Sequence, residues 1–133
     1  MNKIKVGKIF KILKTNNPEP VTKLKYKSTF HLLIAVILSA QATDKSVNAA
    51  TSKLFKVAGT PKKLSNIGEE KLRAYIKTIG LYNAKAKNVI KTSKMILEKY
   101  NNKVPSNRDI LQELPGVGRK TANVVLNNAF GQP

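Results

Sequence analysis

The stretch of this sequence richest in chemical possibility is Leu114-Pro115-Gly116-Val117-Gly118-Arg119-Lys120-Thr121-Ala122. Pro115 pre-sets its own φ, and the two glycines permit positive φ and close approach of another backbone. A helix that starts after such a turn leaves unpaired N–H groups at its first residues. Those donors, with the positive end of the helix, suit a phosphate. The stretch therefore reads as a hairpin between two helices that grips a nucleic-acid backbone without reading its bases. A plain glycine-containing turn between helices is the competing reading, and the G-x-x-x-x-G-K spacing of a nucleotide-binding loop is absent. Lys120 falls in the first turn of the second helix. The helix dipole disfavours a cation there, and Arg119 adds positive charge beside it. Both effects favour the neutral amine that a nucleophilic lysine needs. By position alone, a surface lysine holding phosphate is an equal alternative.

The charge of the whole chain suits the same ligand. Lys and Arg number 25 against 7 Asp and Glu, a formal net charge of +18 over 133 residues, which points to a polyanionic partner. Only Arg73, Arg108 and Arg119 are arginine. Lys, Asn and Ile share A/T-rich codons, so composition bias is a competing source of part of the charge. The charge permits nucleic-acid binding, and the hairpin has to locate it. Apolar residues make up 41% of the chain, enough for the core of a single domain. The sequence has no cysteine, which excludes disulfides, thiolate metal sites and iron–sulfur ligands within it. With one histidine and few carboxylates, a zinc site has poor prospects. The longest aliphatic run, Leu32 to Leu38, is far short of the ~20 residues of a membrane span. No apolar signal segment follows the N-terminal lysines, so a cytoplasmic, nucleoid-associated protein without membrane attachment is expected.

Helical periodicity is what must position the hairpin. Val6, Ile9, Phe10 and Leu13 predict an amphipathic helix over residues 2–14, ended by Asn16-Asn17-Pro18-Glu19-Pro20. Ser28 is suited to cap a helix over Thr29–Ser39 whose centre is apolar all round, as in a helix enclosed by others. Thr43 caps a third helix with Val47, Ala50, Thr51 and Leu54 on one face. Thr60-Pro61 reads as an N-cap followed by proline at the first helical position. Leu72, Tyr75, Ile76 and Ile79 stripe a further helix stopped by Gly80, and Ala86, Val89, Ile90, Ser93 and Ile96 stripe the next, ended by Asn101-Asn102. Ser106-x-x-Asp109 resembles a capping box for a short helix. Ala122, Val125, Leu126 and Ala129 stripe the last, with Gly131 just past its end. No segment alternates as a strand would, so the expected class is all-α. Gly80-Leu81-Tyr82-Asn83-Ala84-Lys85-Ala86 faintly echoes Gly116 to Ala122, as two packed helix–hairpin–helix units would.

These residues carry a resemblance. Leu114–Ala122, with Leu38-Ser39-Ala40-Gln41-Ala42-Thr43-Asp44 and Ile76-Lys77-Thr78-Ile79-Gly80-Leu81-Tyr82, resembles the bacterial endonuclease III family, the helix–hairpin–helix DNA glycosylase/AP lyases of base excision repair. The resemblance covers essentially the whole chain, with three motifs in the right order. It implies a six-helix bundle over residues 21–133, with the helix–hairpin–helix at about 107–130. Residues 1–20 would then be an N-terminal helix and linker that belong with the cluster domain of full-length members. It implies removal of oxidised pyrimidines and incision of the abasic strand, with Lys120 attacking C1′ of a flipped nucleotide and forming a Schiff base. It implies that Gln41 fills the hole left by that nucleotide and that Leu81 is a wedge between bases. On the residues alone, Gln41 reads as a surface glutamine and Leu81 as a core leucine. Asp44, just past Thr43, reads as support for a helix start, and His31 as a structural or surface residue without partners.

The family also carries an aspartate in a Val-Asp-Thr-His segment soon after the last helix, and four cysteines binding a [4Fe–4S] cluster. These 133 residues end before both. The expectation is a chain truncated relative to the family, with no cofactor of its own and a cluster only in full-length members. The expected partner is double-stranded DNA with an oxidised pyrimidine or an abasic site, and the expected state is a monomer. Lys120 is the expected nucleophile; Gln41, Leu81, Gly116, Val117, Gly118, Arg119 and Thr121 are the expected DNA contacts. A non-catalytic helix–hairpin–helix DNA-binding protein, or an inactive truncated remnant, is the alternative.

Overall fold

The computed structural model describes residues 23–131; the helix expected over 2–14 and its linker lie outside the described residues. Among the described residues six helices follow one another: α1 (Thr29–Ser39), α2 (Asp44–Val57), α3 (Pro61–Ile76), α4 (Tyr82–Lys99), α5 (Arg108–Leu111) and α6 (Arg119–Ala129). Among the described residues there is no strand, and no helix is long and apolar enough to cross a membrane.

The starts of the first three helices follow from local chemistry. The Ser28, Thr43 and Thr60 side chains accept the backbone N–H groups of His31, Ser46 and Lys63, at 3.1, 3.1 and 3.2 Å. Each satisfies one donor that the helix cannot. α5 departs from the expected capping box. Its cap is Asn107, one residue later than Ser106, accepting from the Ile110 N–H at 3.1 Å. Asparagine is as good an acceptor as serine at this position. Neither α4 nor α6 has a side-chain cap.

α1 is the centre of the bundle. Phe30 and every residue from Leu32 to Leu38 are buried, because the helix packs against α2, α4 and α6 at once. α3 is kinked at Gly68, whose φ of 81° and ψ of 168° lie outside the helical region. The two arms correspond to the two helical patterns read around Thr60-Pro61 and around Leu72-Tyr75-Ile76. The second arm is shorter than expected, ending at Ile76. Ile79 is buried all the same, from a turn in which its N–H bonds the Ile76 carbonyl at 2.8 Å. His31 has partners after all. Its ring stacks on Phe55 with centroids 4.0 Å apart, and its Nε2–H donates to the Gly59 carbonyl at 2.9 Å.

Candidate nucleic-acid interface

The hairpin between α5 and α6 is held from below and open above. Leu114 and Val117 are buried, and the Val117 N–H closes the turn on the Leu114 carbonyl at 3.1 Å. Gly116 has a φ of +83°, and a Cβ there would meet Ile37 Cγ2 and two Asn88 side-chain atoms at 3.2 Å. Glycine is therefore required twice, for the left-handed backbone and for the space. Thr92 of α4, fully buried, donates its hydroxyl to the Pro115 carbonyl at 2.8 Å. Arg108 Nε donates to Asn123 Oδ1 at 2.7 Å, tying the two hairpin helices together. Above this base, Gly118, Arg119 and Lys120 are exposed. The first intrahelical bond of α6 is from the Ala122 N–H to the Gly118 carbonyl, which leaves the preceding amides without partners along the helix. A Cβ at Gly118 would touch nothing, so a ligand can approach that backbone closely.

Lys120 and Thr121 line an open cleft of about 630 Å³ together with Ser39, Ala40, Gln41 and Asp44. Gln41 is exposed in the junction between α1 and α2, with a φ of 57°. Asp44 opens α2, as expected of a residue supporting a helix start, and it also brings a carboxylate to the cleft.

Leu81 is the N-cap of α4, with a φ of 59° and 62% of its surface exposed. A leucine in the left-handed region is strained by about 1–2 kcal/mol, and exposing it removes any gain from burial. The echo between the two glycine turns does not extend to the backbone. The positive φ falls on Gly116 in one turn and on Leu81, the residue after Gly80, in the other. The Leu81 and Gln41 turns touch, since a Cβ on Gly80 would lie 3.8 Å from the Gln41 carbonyl oxygen. A buried lysine joins them. Lys85, 5% exposed, donates from Nζ to the Ala40 carbonyl at 2.5 Å, and burial lowers its pKa from the ordinary lysine value.

The structure thus gathers Lys120, Thr121 and Gln41 around one cleft, with Leu81 on the turn that meets Gln41, and sets the backbone of Gly116 to Arg119 beside them. Sequence reasoning missed Ser39, Lys23 and the cleft role of Asp44, and it gave no role to Lys85 or Thr92. A lysine between alanines in an otherwise apolar register, Ala84-Lys85-Ala86, was the available signal for Lys85. Cluster ligands are a different matter. The sequence has no cysteine, and the described residues hold no group of three or more potential metal ligands. A [4Fe–4S] cluster therefore has no thiolate ligands in these residues.

Known proteins share this fold. Residues 34–128 match the HhH-GPD superfamily of base excision DNA repair proteins. Over all 133 residues the chain is 60% identical to endonuclease III of Haemophilus influenzae and 59% identical to that of Escherichia coli K12. It spans 63% of the length of each of these relatives. Among solved structures, a trapped endonuclease III–DNA covalent intermediate superposes with a TM-score of 0.82 at 49% identity, over 86% of this chain and 54% of that one. A thermostable thymine-DNA glycosylase gives 0.75 at 28% identity, over 80% and 49% of the two chains.

Proposed function

The chain belongs to the HhH-GPD superfamily of base excision DNA repair proteins, and we propose that it carries the DNA-gripping and nucleophilic half of a bifunctional DNA glycosylase/AP lyase acting on oxidised pyrimidines. The observation that carries this reading is the cleft lined by both Lys120, at the uncapped start of α6, and Gln41. In the proposed sequence, unpaired amides at the hairpin and at the start of α6 hold the phosphodiester backbone without base contacts. The damaged nucleotide leaves the stack, because its C1′ cannot be reached inside a duplex. Leu81 enters the gap as an apolar wedge, and the Gln41 amide bonds the orphaned base. The Lys120 amine attacks C1′, and the base leaves with the glycosidic electron pair. Ring opening gives a Schiff base between Nζ and C1′. Loss of a C2′ proton then drives out the 3′ phosphate by cleavage of the C3′–O bond, and water hydrolyses the imine.

The test is borohydride trapping on a duplex with one abasic site. The expected result is a covalent adduct of chain and DNA that an intact duplex does not give. Binding to the abasic duplex without an adduct would replace the enzyme reading with that of a non-catalytic DNA-binding module. Leu81 has its own signature. Leu81→Ala changes folding stability by no more than about 0.5 kcal/mol, as for an exposed site, and weakens binding to abasic duplex by about tenfold. A stability loss of ~2–5 kcal/mol in a denaturation experiment would return Leu81 to the core.

A further inference from the structure

α4 reaches both of the turns that carry the proposed chemistry with its own side chains and cap. Its cap is Leu81, its first turn holds Lys85, and two turns further on Thr92 holds the hairpin through the Pro115 carbonyl. Lys85 spans 45 residues of sequence to donate to the carbonyl of Ala40, the residue before Gln41. Its own N–H bonds the Leu81 carbonyl at 3.0 Å. One residue therefore fastens the backbone on both sides of the gap between Gln41 and Leu81. Both of those residues sit at positive φ, in conformations that relax once unsupported.

Apart from the C-cap carbonyl of α1, at the negative end of that helix, nothing favours a lysine at this place. It is buried, which disfavours its charge. It lies in the first turn of a helix, which disfavours a cation again. It has no carboxylate to pair with in any hydrogen bond described for it. An apolar residue of the same length would satisfy the packing of α4. What only a long, flexible donor supplies is a fixed distance between the Ala40 carbonyl and the start of α4.

We propose that Lys85 is a positioning residue for recognition of the opened duplex: by clamping the Gln41 turn to the Leu81 turn it sets the width of the two-residue plug that replaces a flipped nucleotide. The proposal rests on the roles given above to Gln41 and Leu81. It assigns Lys85 no contact with DNA and no covalent step.

The experiment compares Lys85→Met with the unaltered chain on three ligands: intact duplex, abasic duplex and single-stranded abasic oligonucleotide. Only the abasic duplex has a gap to fill. The expected result is that the preference for abasic over intact duplex falls on the order of tenfold, the effect of one buried, charge-assisted hydrogen bond. Affinity for intact duplex and trapping on the single strand stay within about twofold of the unaltered chain. In the background of Gln41→Ala the same Lys85→Met change then has little further effect, because the plug is already incomplete. Should Lys85→Met not fold, Lys85→Gln serves instead, since its side chain is one bond shorter and uncharged, so the charge-assisted bond to the Ala40 carbonyl is lost.

Equal losses on single strand and duplex would make Lys85 merely structural and overturn the proposal. So would an unchanged abasic preference in the variant, or additive losses with Gln41→Ala. An unaltered chain with no abasic preference at all would instead overturn the underlying roles of Gln41 and Leu81, a result read before any variant is made.

Discussion

With Lys120 replaced by glutamine, borohydride trapping on an abasic duplex drops to background, a loss of about 10⁴-fold or more, as for removal of other covalent nucleophiles. The amide nitrogen of glutamine has its lone pair delocalised into the carbonyl, so it cannot attack C1′. The side chain stays polar and of similar length, and the residue is exposed at the start of α6, so folding is unaffected. Affinity for intact duplex falls only modestly, and its dependence on salt loses the share of at most one phosphate contact. This split between chemistry and binding is what distinguishes a nucleophile from a lysine that only holds phosphate. The control matters in a chain so rich in lysine. Lys23 also lines the cleft, and if Lys120→Gln traps as well as the unaltered chain, Lys23 becomes the residue to substitute next.

The second large effect is on stability. Leu33→Ala is expected to destabilise the fold by about 2–5 kcal/mol, out of a total of roughly 5–15 kcal/mol for a domain of ordinary size. That corresponds to a fall in Tm on the order of 10 °C. Leu33 is fully buried in α1, the helix enclosed by α2, α4 and α6. Truncation leaves a cavity that three packed helices cannot all close. The same substitution at Leu81, 62% exposed, is expected to leave Tm almost unchanged. A loss under about 1 kcal/mol for Leu33→Ala in urea or thermal unfolding would mean that α1 is not the centre of the core.

The contrast between these two leucines also marks what could be read from the sequence. α1 was legible because an unbroken apolar run must be buried on all sides, and that is a property of neighbours in sequence. The caps Ser28, Thr43 and Thr60 were legible for the same reason, since the donor each accepts lies three residues away. The hairpin glycines, too, announce a turn through their own backbone freedom. Even the errors are local in scale. The cap of α5 moved from Ser106 to Asn107 because two good acceptors stand side by side. α3 stopped at Ile76, and Ile79 kept its burial without its helix.

The placement of the site belongs to a different range of interactions. No local rule distinguishes Leu81 from a core leucine; its exposure follows from α3 and α4 packing so that their junction points outward. The positive φ falls on Leu81 rather than on Gly80, in the turn that meets Gln41. Lys85 and Ala40 are 45 residues apart, and Thr92 and Pro115 are 23 apart. A hydrogen bond over such a separation forms only after the helices have docked, so its partner is not written in the residues around it. The sequence by itself determined which helices form, where most of them begin, and that a glycine hairpin with Arg119 and Lys120 would be available to a polyanion. Only the tertiary structure decided that Gln41 and Lys120 share one cleft and that Leu81 stands beside it, because that meeting is a property of how α1, α4 and α6 pack against one another.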